Sequence, residues 1–382
     1  MGGYQRRRSN VDGALASVDF EDNLSVAVGV LALQWLLFDF GESDALTEAA
    51  DQGLVVAGIG FTAAHQQLIE SVSLAYYSHA AARARLGVAR RSLVNSRGAL
   101  KAAEAKYRQG VGTVVEVAQA RQGVAQAELA HVQAEGLARD REQTLIAALG
   151  ISPLVRLKIA DAPEPQVDNA MMAPLDRLVS DALARRPDVQ AAHAALLAGQ
   201  AGVKAAEASQ RPKVFVAASV GSSSSNANLG ATLPGIGLQA PPLNLAGSGT
   251  GTGAFVGISV PIFDGGLRES VQLQAQQRVA GAQARLDLVR QQAVQQIVVA
   301  QNASRSALAA AEAAQQLQST AAVTLDAALE AYRHGVGTIT AVLLADTQML
   351  QAGQALADAR AAAQSAAITL AFATGSLGAA PR

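Results

Sequence analysis

Cysteine is absent from the 382 residues, which excludes disulfides, thiolate catalysis and Cys-ligated metals. Aromatic residues are scarce at 4% and charged residues reach only 16%, while AVILMFWYC make up 50%. Much of that apolar fraction is Ala, which suits closely approaching helices better than a core of stacked Leu and Phe. Neither charge sign is in excess. The net charge of −1 gives no electrostatic reason to expect nucleic acid as a partner. The opening residues MGGYQRRRSNVDG are polar and lack an apolar h-region, so no signal peptide is present as written. Proline is missing from the whole of 42–106 and 267–331, two long stretches of helical composition.

Those two stretches belong to an internal repeat. LLFDFG at 36–41 is matched by PIFDGG at 261–266, and YRQGVGT at 107–113 by YRHGVGT at 332–338. The offset is 225 at Phe38/Phe263, Asp39/Asp264, Tyr107/Tyr332, Gly112/Gly337 and Gly150/Gly375. Resemblance between Ala-rich helices explains the Ala but not FDxG and YRxGVGT at fixed spacing.

Stepping by seven from Leu286 meets Ala293, Ala300, Ala307, Ala314, Ala321 and Ala328. The first-half series is Phe61, Leu68, Ala75, Ala82, Ala89, Ser96 and Ala103. A sustained step of seven marks a coiled-coil seam. At ~1.5 Å per residue such a helix is on the order of 100 Å long, well beyond a bilayer core of ~30 Å. GVGT then stops the helix, and a second helical pattern follows in each half. The predicted unit is a helical hairpin turning at Gly110, Val111, Gly112 and Thr113, or at Gly335, Val336, Gly337 and Thr338. GVGT does the structural work of a cap and reversal, and it is also a candidate docking surface. It is not a phosphate loop, because no Lys follows and no strand precedes.

Upstream of FDxG the period changes to two. Val256, Ile258, Val260 and Ile262 alternate with Phe255, Gly257, Ser259 and Pro261, and Val214, Val216, Ala218 and Val220 fall on one face of 213–221. This predicts antiparallel strands near 213–221 and 254–264 joined by a polar loop, with the two-faced pattern of a transmembrane barrel strand. The first-half equivalent, Leu24–Phe40, is apolar enough to resemble a short membrane helix, but its copy at 249–265 is too rich in Gly and Ser, so a strand is predicted. Trp35 suits an interfacial aromatic. The division is a first repeat over 1–150, incomplete at its start, a connector over 151–173 with three Pro, and a second repeat over 174–376. The segment 174–211 reads as helix, with Pro174 at its start.

No catalytic, cofactor or metal constellation emerges. The five His have no close ligand spacing, no nucleophile pairs with a base, and Arg83, Arg85, Arg90 and Arg91 read as a solvated helix face. Asp39 and Asp264 read as helix N-caps. They form strand–helix junctions with Phe38, Gly41, Phe263 and Gly266.

LFDFG and IFDGG at strand ends, YRQGVGTVVEV and YRHGVGTITAV at reversals, ALARRPDVQAA at 182–192 and RPKVFVAASVG at 211–221 together resemble the TolC family of outer-membrane efflux and secretion proteins. Within it, VSLAYY and VGT look most like the CyaE-type subgroup of type I protein secretion. The resemblance implies an α plus transmembrane β fold: antiparallel coiled-coil hairpins in two repeats, with strands contributing to an oligomeric outer-membrane barrel of the roughly 12-stranded type. It further implies a homotrimer in outer-membrane lipid, with a tunnel whose periplasmic tips meet an adaptor protein and an inner-membrane transporter. The function implied is a passive conduit for small molecules or a secreted protein, not an enzyme. The alternative is a coiled-coil cell-envelope protein without a pore. One departure is that the family's Asp four residues beyond the tip's second Gly is Glu116 in the first repeat and Ala341 in the second. A second is that first-half copies of 174–225 fall before Met1. An upstream extension carrying a signal peptide, helix and strand is therefore expected, with Gly3–Ser9 contributing at most a stub of strand.

Overall fold

The computed structural model describes residues 2–13, 16–154, 159–160, 174–230 and 243–377. The chain divides into two compact units, Met1–Asp51 with Ala198–Ala280, and Gln52–Leu197 with Gly281–Arg382.

In the first unit β1 (Gly2–Gly13), β2 (Ala16–Phe38), β3 (Lys213–Gly230) and β4 (Leu243–Ser259) form one antiparallel sheet in the order β1-β2-β3-β4. The apolar segment is thus strand as far as Phe38, and among the described residues no helix is long and apolar enough to cross a membrane. Register places Leu31, Leu33 and Trp35 opposite Val220, Ala218 and Val216, and those opposite Thr252, Ala254 and Val256. The other face carries Ala32 and Gln34 beside Ser219 and Ala217, then Gly253 and Phe255. The face of Leu31, Leu33 and Trp35 is mainly apolar; the other is small or polar until Leu36, Phe215 and Phe255 near the junction end.

All four strands depart from their expected bounds. The segment expected to be a stub is a full strand, paired with β2 from Gly2↔Ala27 to Gly13↔Ala16. Its sequence has no period-two apolar signal; the ladder with β2 makes it a strand. Strands β2 and β3 run beyond the apolar positions, starting at Ala16 and ending at Gly230. Tracts of Ser, Gly and Asn pair in register there, as at Ser222↔Thr250 and Ser224↔Ser248, without the alternation that betrays a strand at sequence level. Strand β4 starts at Leu243 and stops at Ser259, before Pro261, rather than spanning 254–264; proline removes a ladder donor.

The repeat appears residue for residue in the helices. Helix α1 (Glu42–Arg108) has 67 residues and α2 (Val114–Ala148) has 35. Between them and their copies lie α3 (Leu175–Arg185) and α4 (Pro187–Ala208). Helices α5 (Leu267–Arg333) and α6 (Ile339–Ala373) again have 67 and 35 residues. The segment expected as one helix over 174–211 is broken at Arg186, because Pro187 drives its predecessor to extended geometry, here ψ 125. Arg186 is buried and ties this joint to the second unit's core, donating to Asp188, Gln296 and the Ala373 carbonyl. Most of the connector 151–173 lies outside the described residues.

In the second unit the heptad series is buried at Leu286, Ala293, Ala300 and Ala321, and at Ala82, Ala89, Ser96 and Ala103. Phe61 and Leu68, expected on that seam, are exposed in the single chain. In the second half Leu178 and Ala182 of α3 pack on Ile297, Ala300, Leu370 and Ala373.

Candidate functional site

The two reversals share one backbone solution. Gly110 and Gly335 have φ of 79 and 81, the left-handed region that Gly enters without a side-chain penalty. Both amides of Val111 and Gly112 donate to the Lys106 carbonyl, and those of Val336 and Gly337 to Ala331. Gly112 and Gly337 are required for space: a Cβ would lie 2.9 Å from the Tyr107 and Tyr332 amide nitrogens. Thr113 and Thr338 then cap the next helix, each hydroxyl accepting from the amide three residues on, Glu116 or Ala341, at 3.2 Å. Val111 and Val336 point into solvent.

Their side-chain chemistry differs. Glu116 closes a capping box by accepting from the Thr113 amide at 3.1 Å, a bond that Ala341 cannot make. Tyr332 is 1% exposed and its copy Tyr107 is 50% exposed. Tyr332 packs with Ala99, Ala103, Val117, Ala120, Ile339 and Val342, so the two reversals share one small core. Lys106, whose copy is Ala331, donates to the Tyr332 carbonyl at 2.6 Å and sits 4.1 Å from its ring centroid. Neither the Lys106–Tyr332 contact nor the burial of only one Tyr has a local sequence signal.

The strand–helix junctions lie in the other unit and act as caps. Asp39 accepts from the Gly41 amide at 3.1 Å and the Ser43 amide at 2.8 Å. Asp264 accepts from Gly266 and Arg268, both at 3.2 Å. The Ser43 hydroxyl and amide, with the Gly41 amide, hold the Asp39 carboxyl below its ordinary pKa, and Lys213 adds to the effect. Phe38 and Phe263 are exposed, and Phe38 stacks edge-on against Phe40 at 4.7 Å. Gly41 and Gly266 have φ of 92 and 85.

A polar cluster was invisible in the sequence. Asp346 of α6 is 6% exposed. It accepts from Ser92 at 2.8 Å, Ser96 at 2.9 Å and Asn95 at 3.3 Å, all on α1. Nearby, Arg85 forks onto both carboxylate oxygens of Asp358. These groups fasten one hairpin to the other.

A family model described as outer membrane efflux protein matches residues 1–151 and 178–376. The chain belongs to the outer membrane efflux protein family. CyaE of Bordetella pertussis is 29% identical over 363 residues, 94% of this chain and 72% of that protein. The cation efflux system protein CusC of Escherichia coli K12 is 25% identical over 346 residues, 88% of this chain and 70% of that protein. The solved outer membrane protein VceC of Vibrio cholerae has the same fold, with a TM-score of 0.69 at 20% identity over 98% of this chain and 86% of that one. This efflux family protein is therefore an outer-membrane channel component of an export system, with helical hairpins forming its periplasmic extension. Membership of a family described as outer membrane efflux protein sets aside the pore-free coiled coil.

Proposed function

We propose that three copies of the chain close one barrel and one tunnel, and that the GVGT reversals are the surface met by a periplasmic adaptor and an inner-membrane transporter. The observation carrying this reading is the open sheet. Among the described residues, strand β4 pairs only with β3, and β2 beyond Ala27 pairs only with β3. In lipid each unpaired backbone group costs several kcal/mol, so an open sheet must be closed by further strands. The apolar face set by Leu31, Leu33 and Trp35 then turns to lipid, and the face of Ser and Gly lines the lumen. The duct is passive: it supplies a path, and the transporter supplies the work. The reversals follow 67 helical residues from the junctions, a span on the order of 100 Å, which carries them across the periplasm. Cysteines at Thr113 or Thr338 are expected to crosslink to the adaptor in whole cells. Crosslinks confined to a cysteine at Asn226, near a strand end, would reverse the orientation.

A further inference from the structure

On the face of Leu31, Leu33 and Trp35 the apolar rows continue to the end of the sheet. Trp35 stands beside Val216 and Val256. A register shift between Leu36 and Phe38 then sets Phe38 opposite Val214, two residues from Val216 and on the same face, with Ile258 beyond it. Phe40 stacks edge-on against Phe38 and is itself exposed. Past Phe40 the chemistry changes. Its ring walls a cavity of about 310 Å³ between the start of α1 and the end of α4, and the charged lining is Asp44, Glu48, Lys204, Glu207 and Arg211. Lys204 pairs with Glu48 at 2.9 Å. Among the described residues the side chains of Asp44, Glu207 and Arg211 have no partner.

Two of these residues are unfavourable where they stand. Phe40 has φ 55, in the left-handed region that a side chain with a Cβ disfavours. Its copy in the second repeat is Gly265, with φ 68. The same backbone turn is therefore made there without strain, and the turn itself does not require a ring. Glu207 stands in the last turn of α4, where a carboxylate meets the negative end of the helix dipole. Neither residue stabilises its own element, and both face the same cavity.

We infer that this cavity holds the headgroup of a membrane phospholipid carrying both a phosphate and a primary ammonium, its acyl chains lying on the rows of Phe38 and Trp35. Arg211 takes the phosphate through charge-assisted, two-pronged hydrogen bonds. Asp44 and Glu207 accept from the ammonium, which offsets the charge at the end of α4. A headgroup with a phosphate and no cation would set another negative charge against two unpaired carboxylates. The volume lies at the low end of ligand pockets, ~300–1,000 Å³, which suits a headgroup. The cavity belongs to the helices joined to β2 and β3, the two central strands of the sheet, away from the edges where further strands would pair. This rests on the reading above that the face of Leu31, Leu33 and Trp35 turns to lipid.

Trp35 is the only tryptophan, so its emission reports on that face alone. With the full chain reconstituted in bilayers whose acyl chains carry bromine, Trp35 is expected to be quenched; unquenched emission overturns the lipid-facing reading itself. The headgroup site is tested by native mass spectrometry of the detergent-purified full chain, incubated with equal phosphatidylethanolamine and phosphatidylglycerol. The phosphatidylethanolamine adduct is expected in excess by about threefold, the scale of exposed ion pairs. Asp44→Asn with Glu207→Gln should bring the two adducts level. Arg211→Gln should cut both roughly tenfold, the scale of a lost charge-assisted contact. Phe40→Gly should also cut both, without lowering the urea midpoint, because the strain leaves with the ring; this separates a lost cavity wall from a damaged fold. Glu269→Gln, the copy of Asp44 at the second junction, should change neither adduct. Equal adducts in the unaltered chain, a preference that survives the double carboxylate variant, or retention unchanged in Arg211→Gln overturns the headgroup site, and a quenched Trp35 then leaves the lipid-facing reading standing.

Discussion

Asp346 anchors the contact between hairpins, and its removal has a worked consequence. Its carboxylate accepts from two hydroxyls and one amide of α1 at a site 6% exposed. Hydrogen bonds to a charged group contribute about 1.5–3 kcal/mol each, and a buried polar group left unsatisfied costs about 1–3 kcal/mol. Ser92 and Ser96 have a partial refuge, because a helical Ser can turn to the carbonyl four residues back. Asp346→Ala is therefore expected to destabilise the hairpin pair by about 2–4 kcal/mol, below the sum of the three bonds. Replacing Ser92 and Ser96 by Ala in that background should recover much of the loss, since an apolar patch of similar shape is nearly neutral against a satisfied buried network. The assay is urea unfolding followed by helical circular dichroism in detergent, with hydrogen exchange read at 88–99 and 341–353. A shift in Asp346→Ala below about 0.5 kcal/mol, the level of an ordinary surface change, refutes the anchoring role. So does a triple variant weaker than the single one.

His79 is 3% exposed and neither ring nitrogen has a hydrogen-bond partner, so His79→Leu is expected to raise the unfolding free energy measured in urea by about 1–3 kcal/mol, the relief of one unsatisfied group. Burial holds the His79 pKa down, with Glu142 pulling it up and Arg83 pushing it down. The unfolded chain takes up a proton near pH ~6.5 that the folded chain resists, so stability falls as pH drops below ~6.5; the Leu variant should lose that part of the slope, and equal slopes would refute the assignment. Gly337→Ala should strain the second reversal by about 1–3 kcal/mol and speed proteolysis there, because the new Cβ meets backbone of Ala331 and Tyr332; Gly136→Ala, with nothing within 4 Å, serves as the benign control. Glu116→Ala should cost α2 its capping box, about 0.5–2 kcal/mol, and Ala341→Glu should slow hydrogen exchange in the first turn of α6. Unchanged exchange in both would remove any role for that carboxylate.

Features repeated at fixed spacing were legible in the sequence. Both reversals, both Asp caps and the four long helices follow from FDxG and YRxGVGT, because local sterics and capping dictate them. Strand β1 was not legible, since it is held by a ladder rather than by its own alternation. Nor was the break at Arg186 foreseen, although Pro187 signals it locally. The least legible layer is long-range. Ser92 and Asp346 are 254 residues apart, and an acid on an Ala-rich helix reads as solvated until its neighbour is known. Tyr107 and Tyr332 look alike and fare differently, because burial depends on which hairpin lies alongside.

The equality of the hairpins constrains how the chain can change length. Each half climbs 67 residues and returns 35. Loss of one heptad from α1 alone would draw that reversal back by about 10 Å and slide every α1 side chain past its partner on α6. The shared core around Tyr332 would then lose its Ala99 and Ala103 side. A shorter or longer duct is reachable only by matched changes in all four long helices at once. A single residue inserted in one helix would instead turn the side chains beyond it by about 100° off the seam.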